Sequence, residues 1–221
     1  MHSILEIDSV RKEYSGRVIL SDIYLKCKTG DIIGLFGRNG TGKSTLLKIV
    51  FGIEEADNQF VKVDELVLGI QSKTSQQISY LSQDTFLPNH LTVLQLIRLS
   101  LDKSKLIDFE NEHILRPLLL QKISFLSGGE LRYLEIKLLL NLPSKFILLD
   151  EPFNGLSPLL IEHITEMIKL FSKSKGIIIT DHNYLEVLSV SNRFFLLNDG
   201  CLAEINGEED LHRRGYLNSR A

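Results

Sequence analysis

The sequence has few cysteines and no long apolar run, and each absence excludes a class of protein. Among 221 residues there are two cysteines, Cys27 and Cys201, which are far apart and match no metal-binding or redox spacing. We therefore expect two inert thiols in a reducing compartment. Every apolar run is far shorter than the ~18 residues that a membrane-spanning helix needs. Glu6 and Asp8 interrupt the stretch where a signal peptide is apolar, so we expect a cytoplasmic protein.

The sequence also lacks an excess of positive charge. It has 25 Lys and Arg against 28 Asp and Glu, a formal net charge of −3, so there is no general attraction to nucleic acid and no such partner is expected. No repeat, low-complexity tract or Pro/Ser-rich linker divides the chain. With 43% apolar residues it has enough material for one sizeable core, which predicts a single domain over residues 1–221.

Strand-like and helix-like segments alternate, which predicts an α/β fold. The alternation in SILEIDSV predicts an opening strand with Ile4 and Val10 facing inward. Short apolar runs predict strands at 31–36, 146–149, 177–179 and 194–197. The fully apolar runs at 146–149 and 177–179 are typical of a parallel sheet buried on both faces. Helical periodicity predicts helices at 44–51, 91–101 and 157–173.

A glycine-rich loop follows the strand predicted at 31–36. It matches the phosphate-loop pattern G-x-x-x-x-G-K-[ST] with Gly37, Arg38, Asn39, Gly40, Thr41, Gly42, Lys43 and Ser44, and Thr45 belongs to the same site. Its backbone N–H groups and the start of the next helix suit phosphate. Lys43 is expected to reach the β- and γ-phosphates and Ser44 to hold Mg²⁺. The loop predicts nucleotide binding but leaves ATPase, kinase and GTPase open.

Two acids end the apolar strand at 146–149. Parallel sheets bind ligands at the carboxyl ends of their strands, so Asp150 is expected near the metal held by Ser44. Glu151 comes next and can accept a proton from an attacking water. A base beside a metal-bound phosphate favours hydrolysis.

The pentapeptide LSGGE at residues 126–130 completes an ordered set of motifs. The set runs Tyr14, the phosphate loop, Gln83, LSGGE, Asp150–Glu151 and His182. From about residue 3 to residue 210 the sequence resembles the ATPase subunits of ABC (ATP-binding cassette) transporters. The resemblance implies a P-loop NTPase core with a mixed sheet, an antiparallel β subdomain and a small helical subdomain at about 84–126.

The resemblance also implies roles for individual residues, with ATP and Mg²⁺ as cofactors. Tyr14 would stack on adenine, Gln83 would touch Mg²⁺ or its water, and His182 would contact the γ-phosphate. The signature residues would contact the γ-phosphate of ATP held by a second subunit; they are Ser127, Gly128, Gly129 and Glu130. Ser127 and Glu130 also form a capping-box pattern, and a capped helix start is itself an anion site.

The implied partners are a second ATPase subunit, most simply an identical copy, and separate integral membrane permease subunits on whose cytoplasmic face this chain would dock. An alternative is an ABC ATPase outside transport, as in iron–sulfur assembly, translation or DNA repair. A non-hydrolysing sensor is disfavoured because Lys43, Asp150, Glu151 and His182 are intact.

Two positions depart from the usual pattern. Ser157 stands where many relatives have Asp, which removes an ionic contact across the dimer, although Ser157 before Pro158 is a strong helix start. Arg38 stands where many relatives have proline, and the sequence gives no reason for it. The residues around these motifs resemble both the ATPases of branched-chain amino-acid importers and the lipopolysaccharide-transport ATPase. The sequence does not decide between these two subfamilies.

Overall fold

A computed structural model describes residues 2–69 and 77–217. The strands of this part of the chain are β1 (Ile4–Tyr14), β2 (Arg17–Lys28), β3 (Ile32–Phe36), β4 (Asn58–Val63), β5 (Leu66–Val67), β6 (Ile78–Leu81), β7 (Phe146–Asp150), β8 (Gly176–Thr180), β9 (Arg193–Asn198) and β10 (Cys201–Ile205). The helices are α1 (Lys43–Phe51), α2 (Val93–Ser100), α3 (Lys103–Glu110), α4 (Gly128–Asn141), α5 (Pro158–Ser172), α6 (Tyr184–Val190) and α7 (Glu208–Arg213).

The strands form two sheets. A four-stranded antiparallel sheet has the order β2-β1-β4-β5, and a six-stranded sheet has the order β10-β9-β3-β8-β7-β6. In the larger sheet only the edge strand β10 runs antiparallel to its neighbour. The two runs predicted as buried parallel strands lie in β7 and β8, and every residue of both strands is buried. Every residue of β3 is buried as well.

The phase of β1 differs from the prediction. Leu5 and Ile7 are buried, whereas Ile4 is only partly covered, so the prediction that Ile4 faces inward is wrong. The register against β2 shifts between Ile7 and Val10, and Ser9 lies there with a φ of 54°. This irregularity inserts an extra residue, which returns Val10 to the buried face as predicted.

The core has two parts, one on each face of the larger sheet. On one face, α1 and the antiparallel sheet close over β3, β7 and β8. On the other face, α4, α5 and α6 pack together with α2, α3 and two 3-10 turns at Arg116–Leu118 and Ile123–Phe125. The predicted helical subdomain at 84–126 falls on these last elements, and its boundaries stay a prediction. Within the described ranges, no helix combines the length and apolarity that spanning a bilayer requires.

Candidate active site

The phosphate loop connects β3 to α1. Gly42 has a φ of 104°, and a Cβ atom there would lie 2.7 Å from Ile19 Cγ2, so both its conformation and its surroundings require glycine. Helix α1 starts with no side-chain cap and no acidic residue in its first turn, which leaves its first N–H groups available to an anion.

Lys43 reaches back over this loop. Its Nζ donates to the carbonyl oxygens of Gly37 at 2.6 Å and Arg38 at 3.2 Å. Burial lowers the pKa of Lys43, and the nearby carboxylates of Glu151 and Asp150 act in the opposite sense. A partly buried ammonium that is held by neutral carbonyl groups can bind phosphate oxygens more strongly, because these oxygens carry negative charge.

Asp150 ends β7 with a fully buried carboxylate. Its Oδ1 accepts from Ser44 Oγ at 3.0 Å and its Oδ2 from the Tyr80 hydroxyl at 3.0 Å. Burial, reinforced by Asp150, raises the pKa of Tyr80, so this hydroxyl stays a donor. Sequence reasoning missed Tyr80, because only the pairing of β6 with β7 brings it to the site.

Glu151 follows with a φ of 53°, which is uncommon for a residue other than glycine. Its Oε1 lies 2.7 Å from His182 Nε2 and accepts from Gln83 Nε2 at 3.0 Å. Gln83 Nε2 also lies 3.3 Å from Ser44 Oγ. The fold thus joins four predicted residues into one polar chain from Ser44 through Gln83 and Glu151 to His182.

These residues line a cavity of about 390 Å³ together with the phosphate loop. Its lining is Tyr14, Ile19, Asn39, Gly40, Gly42, Lys43, Ser44, Thr45, Gln83, Glu151 and His182. Tyr14 is 43% exposed, its hydroxyl donates to Glu54 Oε1 at 2.8 Å, and Lys12 Nζ lies 4.6 Å from the ring centroid. The ring is thus fixed at its hydroxyl end and is partly exposed, with Lys12 over one of its faces.

The signature residues lie at the start of α4. Ser127 Oγ accepts from Glu130 N at 3.3 Å and Ser127 N donates to Glu130 Oε2 at 2.8 Å, so the predicted capping box is confirmed. Gly128 lines a groove of about 210 Å³ that also touches Gln83 and Glu151. As far as the described residues go, Ser127, Gly129 and Glu130 do not line the phosphate-loop cavity of their own chain.

Arg38 and Thr41 line a different cleft, of about 640 Å³, on the side of the loop next to the C-terminal segment. Arg38 Nη2 donates to the carbonyl of Gly215 at 2.9 Å. Arg38 therefore connects the phosphate loop to the segment after α7. This contact explains the arginine, and no local sequence pattern could have predicted it.

Arg132 and Glu135 on α4 were also missed by sequence reasoning. Both are buried, at 8% and 1% exposure, and Arg132 Nη1 lies 3.4 Å from Glu135 Oε2. Two opposite charges three residues apart on one predicted helix were the available signal.

A phosphate loop between a parallel strand and a helix, with two acids at the end of a nearby strand, defines a P-loop nucleotide-binding protein. A family profile described as "ABC transporter" matches residues 20–154. The lipopolysaccharide export system ATP-binding protein LptB of Escherichia coli K12 is 36% identical over 216 residues, which cover 90% of this chain and 88% of the relative. LptB of Acidithiobacillus ferridurans is 32% identical over 227 residues, with 96% and 93% coverage. The chain belongs to the ABC transporter family, as one of its ATP-binding and ATP-hydrolysing subunits.

A solved structure described as the ATP-binding subunit of an ABC transporter has the same fold. Its TM-score is 0.84 at 24% identity, with 99% of this chain and 95% of that chain covered. The predicted fold class is therefore confirmed, including the mixed sheet and the separate antiparallel sheet. The relatives favour transport over the alternative of an ABC ATPase outside transport.

Proposed function

We propose that Glu151 is the general base of ATP hydrolysis at the phosphate loop. The observation that carries the proposal is the shared position of Glu151 Oε1, 2.7 Å from His182 Nε2 and 3.0 Å from Gln83 Nε2, beside Lys43 and Ser44 in one cavity. Lys43 would hold the phosphates, His182 would contact the γ-phosphate and orient Glu151, and Tyr14 would stack on adenine.

The residues present fit Mg²⁺. The Ser44 hydroxyl and the Asp150 carboxylate are 3.0 Å apart and offer the hard oxygen atoms that Mg²⁺ prefers. Gln83 lies beside them with its Nε2 toward Ser44 Oγ, so its side-chain amide would turn over to present its oxygen to the ion or to a water on it. The described residues contain no cluster of three or more His, Cys, Asp or Glu side chains placed for a metal. One or two protein ligands are typical where phosphates supply the rest. The ion would neutralise charge on the phosphates.

We further propose that the working unit is a homodimer in which each signature faces the ATP of its partner. The position of Ser127, Gly129 and Glu130 outside their own chain's phosphate cavity supports this proposal. The start of α4 is exposed at Ser127 and carries the positive end of a 14-residue helix. The γ-phosphate of ATP bound to a second copy would occupy this anion site.

The membrane partner is proposed to dock on the helical elements between Gln83 and α4, on the cytoplasmic face of the membrane. This surface carries large exposed apolar side chains, namely Leu99, Leu120 and Phe125 at 76%, 82% and 75% exposure. Because both relatives above are named for lipopolysaccharide export, we propose a partner that exports a lipid-linked saccharide.

The test is the substitution Glu151→Gln. We expect ATP binding to survive, because the phosphate loop is untouched, while turnover falls about 10²-fold or more through loss of the base. Steady-state hydrolysis and equilibrium ATP binding are measured on the same preparation. Lys43→Ala is the contrasting variant and should weaken ATP binding itself. Parent-like turnover by Glu151→Gln would remove Glu151 from this role.

A further inference from the structure

Arg132 makes four polar contacts beneath the site. Its Nη1 donates to the carbonyl of Ser82 at 2.6 Å and lies 3.4 Å from Glu135 Oε2. Its Nη2 donates to the carbonyls of Asp150 at 2.6 Å and Glu151 at 2.9 Å. One buried guanidinium on α4 therefore holds the backbone at the end of β7 and the backbone just before Gln83.

Glu135 extends this connection to the loop that follows Gln83. Its Oε1 accepts from Thr85 Oγ1 at 2.7 Å and from the N–H of Phe86 at 3.3 Å. Its Oε2 is the one that faces Arg132. The residues on both sides of Gln83 are thus fastened to one buried ion pair.

The backbone of Glu151 needs such support. Its φ of 53° is unfavourable for a side chain with a Cβ atom and persists only where the surroundings impose it. Its N–H donates to the carbonyl of Thr180 at 2.7 Å, and its own carbonyl accepts from Arg132. This conformation places the carboxylate against His182 and Gln83.

We propose that Arg132 is a positioning residue for the catalytic carboxylate, with Glu135 holding Arg132 in place. The proposal rests on the role of Glu151 as general base. Through Arg132, the helix that begins at the signature is joined to the end of β7 and to Glu151, which follows that strand. Arg132 acts on the backbone of Glu151 and Asp150 and does not itself reach the cavity lined by the phosphate loop.

The decisive variant is Arg132→Met combined with Glu135→Gln. Arg132→Met alone would leave a buried carboxylate unpaired and threaten folding. The glutamine removes that charge while its amide oxygen can still accept from Thr85 and Phe86. We expect the melting temperature to stay within a few degrees of the parent and the ATP dissociation constant within about twofold, while kcat falls about tenfold or more. Arg213→Met is the matched control, because Arg213 on α7 also pairs with an acid three residues away, Asp210, but is 77% exposed, and it should keep the parent kcat.

A double-mutant cycle with Glu151→Gln separates positioning from general destabilisation. If Arg132 acts through Glu151, adding the Arg132→Met/Glu135→Gln pair to Glu151→Gln gives no further loss of kcat. The proposal is overturned if the pair keeps the parent kcat, if ATP affinity and stability fall together with kcat, or if the losses multiply. If Glu151→Gln itself turns over like the parent, the proposed base is wrong, a failure distinct from that of Arg132.

Discussion

Gly176 begins β8 in a space that admits no side chain. A Cβ atom there would lie 2.6 Å from the ring of Phe146, its partner on β7, and 2.8 Å from Cys27 Sγ. Both neighbours are buried, so neither can move aside into solvent. This glycine is required by close packing between the two sheets rather than by backbone conformation.

We expect Gly176→Ala to lower the free energy of unfolding by about 1–3 kcal/mol through overpacking. The urea midpoint of unfolding is the measurement. Gly69→Ala is the control, because the added Cβ meets no atom of the described residues within 4 Å, and it should leave the midpoint nearly unchanged. An equal midpoint for Gly176→Ala and the parent would mean that Phe146 and Cys27 relax at no cost.

Whether a residue of the site could be predicted depends on how far away in the sequence its partners lie. The phosphate loop and the acid pair could be predicted because contiguous residues carry the pattern. Tyr80 could not, since its partner Asp150 is 70 positions away, and neither could Arg38, whose carbonyl partner is 177 positions away. Such contacts depend on strand pairing and chain path, which a local pattern does not contain.

At the scale of elements, the start of α4 admits two functions for one serine. Ser127 caps the helix through Glu130 N, and its hydroxyl also donates to Glu130 Oε2 at 2.7 Å. Ser157 caps α5 in a similar way, accepting from Leu160 N at 3.4 Å. The two caps therefore allow a matched comparison.

We expect Ser127→Asp to fold but lose ATP-driven dimerisation and hydrolysis. Aspartate is a good cap, yet a carboxylate facing the partner's γ-phosphate places like charges together. Ser127→Asp is made in a Glu130→Gln background, because the Ser127 hydroxyl now donates to Glu130 Oε2 at 2.7 Å and an aspartate there would repel that carboxylate. Ser157→Asp should keep hydrolysis, since aspartate also caps well there. Melting temperature and ATPase rate are measured for both. Parent-like hydrolysis by Ser127→Asp would leave capping as its only function.

Mixing subunits tests the same assignment from the other side. Ser127→Asp and Lys43→Ala chains are each expected to be inactive alone, because one lacks the signature and the other the phosphate contact. A mixed dimer keeps one intact site, so partial hydrolysis should return on mixing, provided that one site suffices. Ser157 in place of the usual aspartate suggests loose coupling of the two sites and supports that condition. If hydrolysis does not return on mixing, the result argues against sites that are built from two chains and can each work alone.

The other end of α4 is closed by lysines. Lys175 Nζ donates to the carbonyls of Leu142, at 2.7 Å, and Ser144, and Lys105 Nζ donates to the carbonyl of Asn141. Burial, aided by the charge of Lys105, lowers the pKa of Lys175 to about 8. The folded state therefore holds this proton less tightly than the unfolded chain does, where a lysine titrates near 10.4.

From pH 8 to 10 the unfolded chain binds more protons at this site, so Lys175 makes the free energy of unfolding rise with pH. The slope approaches about 1.4 kcal/mol per pH unit. In Lys175→Met this contribution is absent, so the stability difference, parent minus variant, should grow over this window. Urea unfolding at several pH values measures it, with the exposed Lys173→Met as control. A difference independent of pH would contradict the lowered pKa.

Elements with strong periodicity were predictable and those defined by pairing were not. The helix predicted at 157–173 is α5 at Pro158–Ser172, where the Ser-Pro start and the apolar spacing agree. The alternation of β1 failed at Ile4 because the irregularity near Ser9 shifts its phase. The position of a bulge depends on how the strand pairs with its partner, so the two-residue alternation of the sequence does not predict it.

At the scale of the whole molecule, the proposed dimer predicts a change of mass with nucleotide. Glu151→Gln with ATP and Mg²⁺ should form a dimer, because the bound ATP is not hydrolysed. The same variant with ADP should remain a monomer. Light scattering during size-exclusion chromatography distinguishes the two. Adding Lys43→Ala should abolish the dimer. The same mass with both nucleotides would count against the two-ATP arrangement.

The order of strands in the large sheet also bears on synthesis by the ribosome. β3, which leads into the phosphate loop, lies between β8 and β9, and Ile32 pairs with Ile177 while Ile33 pairs with Arg193. The described strands of the antiparallel sheet, in contrast, all lie before residue 68. A nascent chain can therefore assemble the antiparallel sheet early, whereas the phosphate loop waits until most of the protein has emerged. A prematurely terminated chain that ends before β8 would carry the complete phosphate-loop sequence without the strands that flank it in the finished protein.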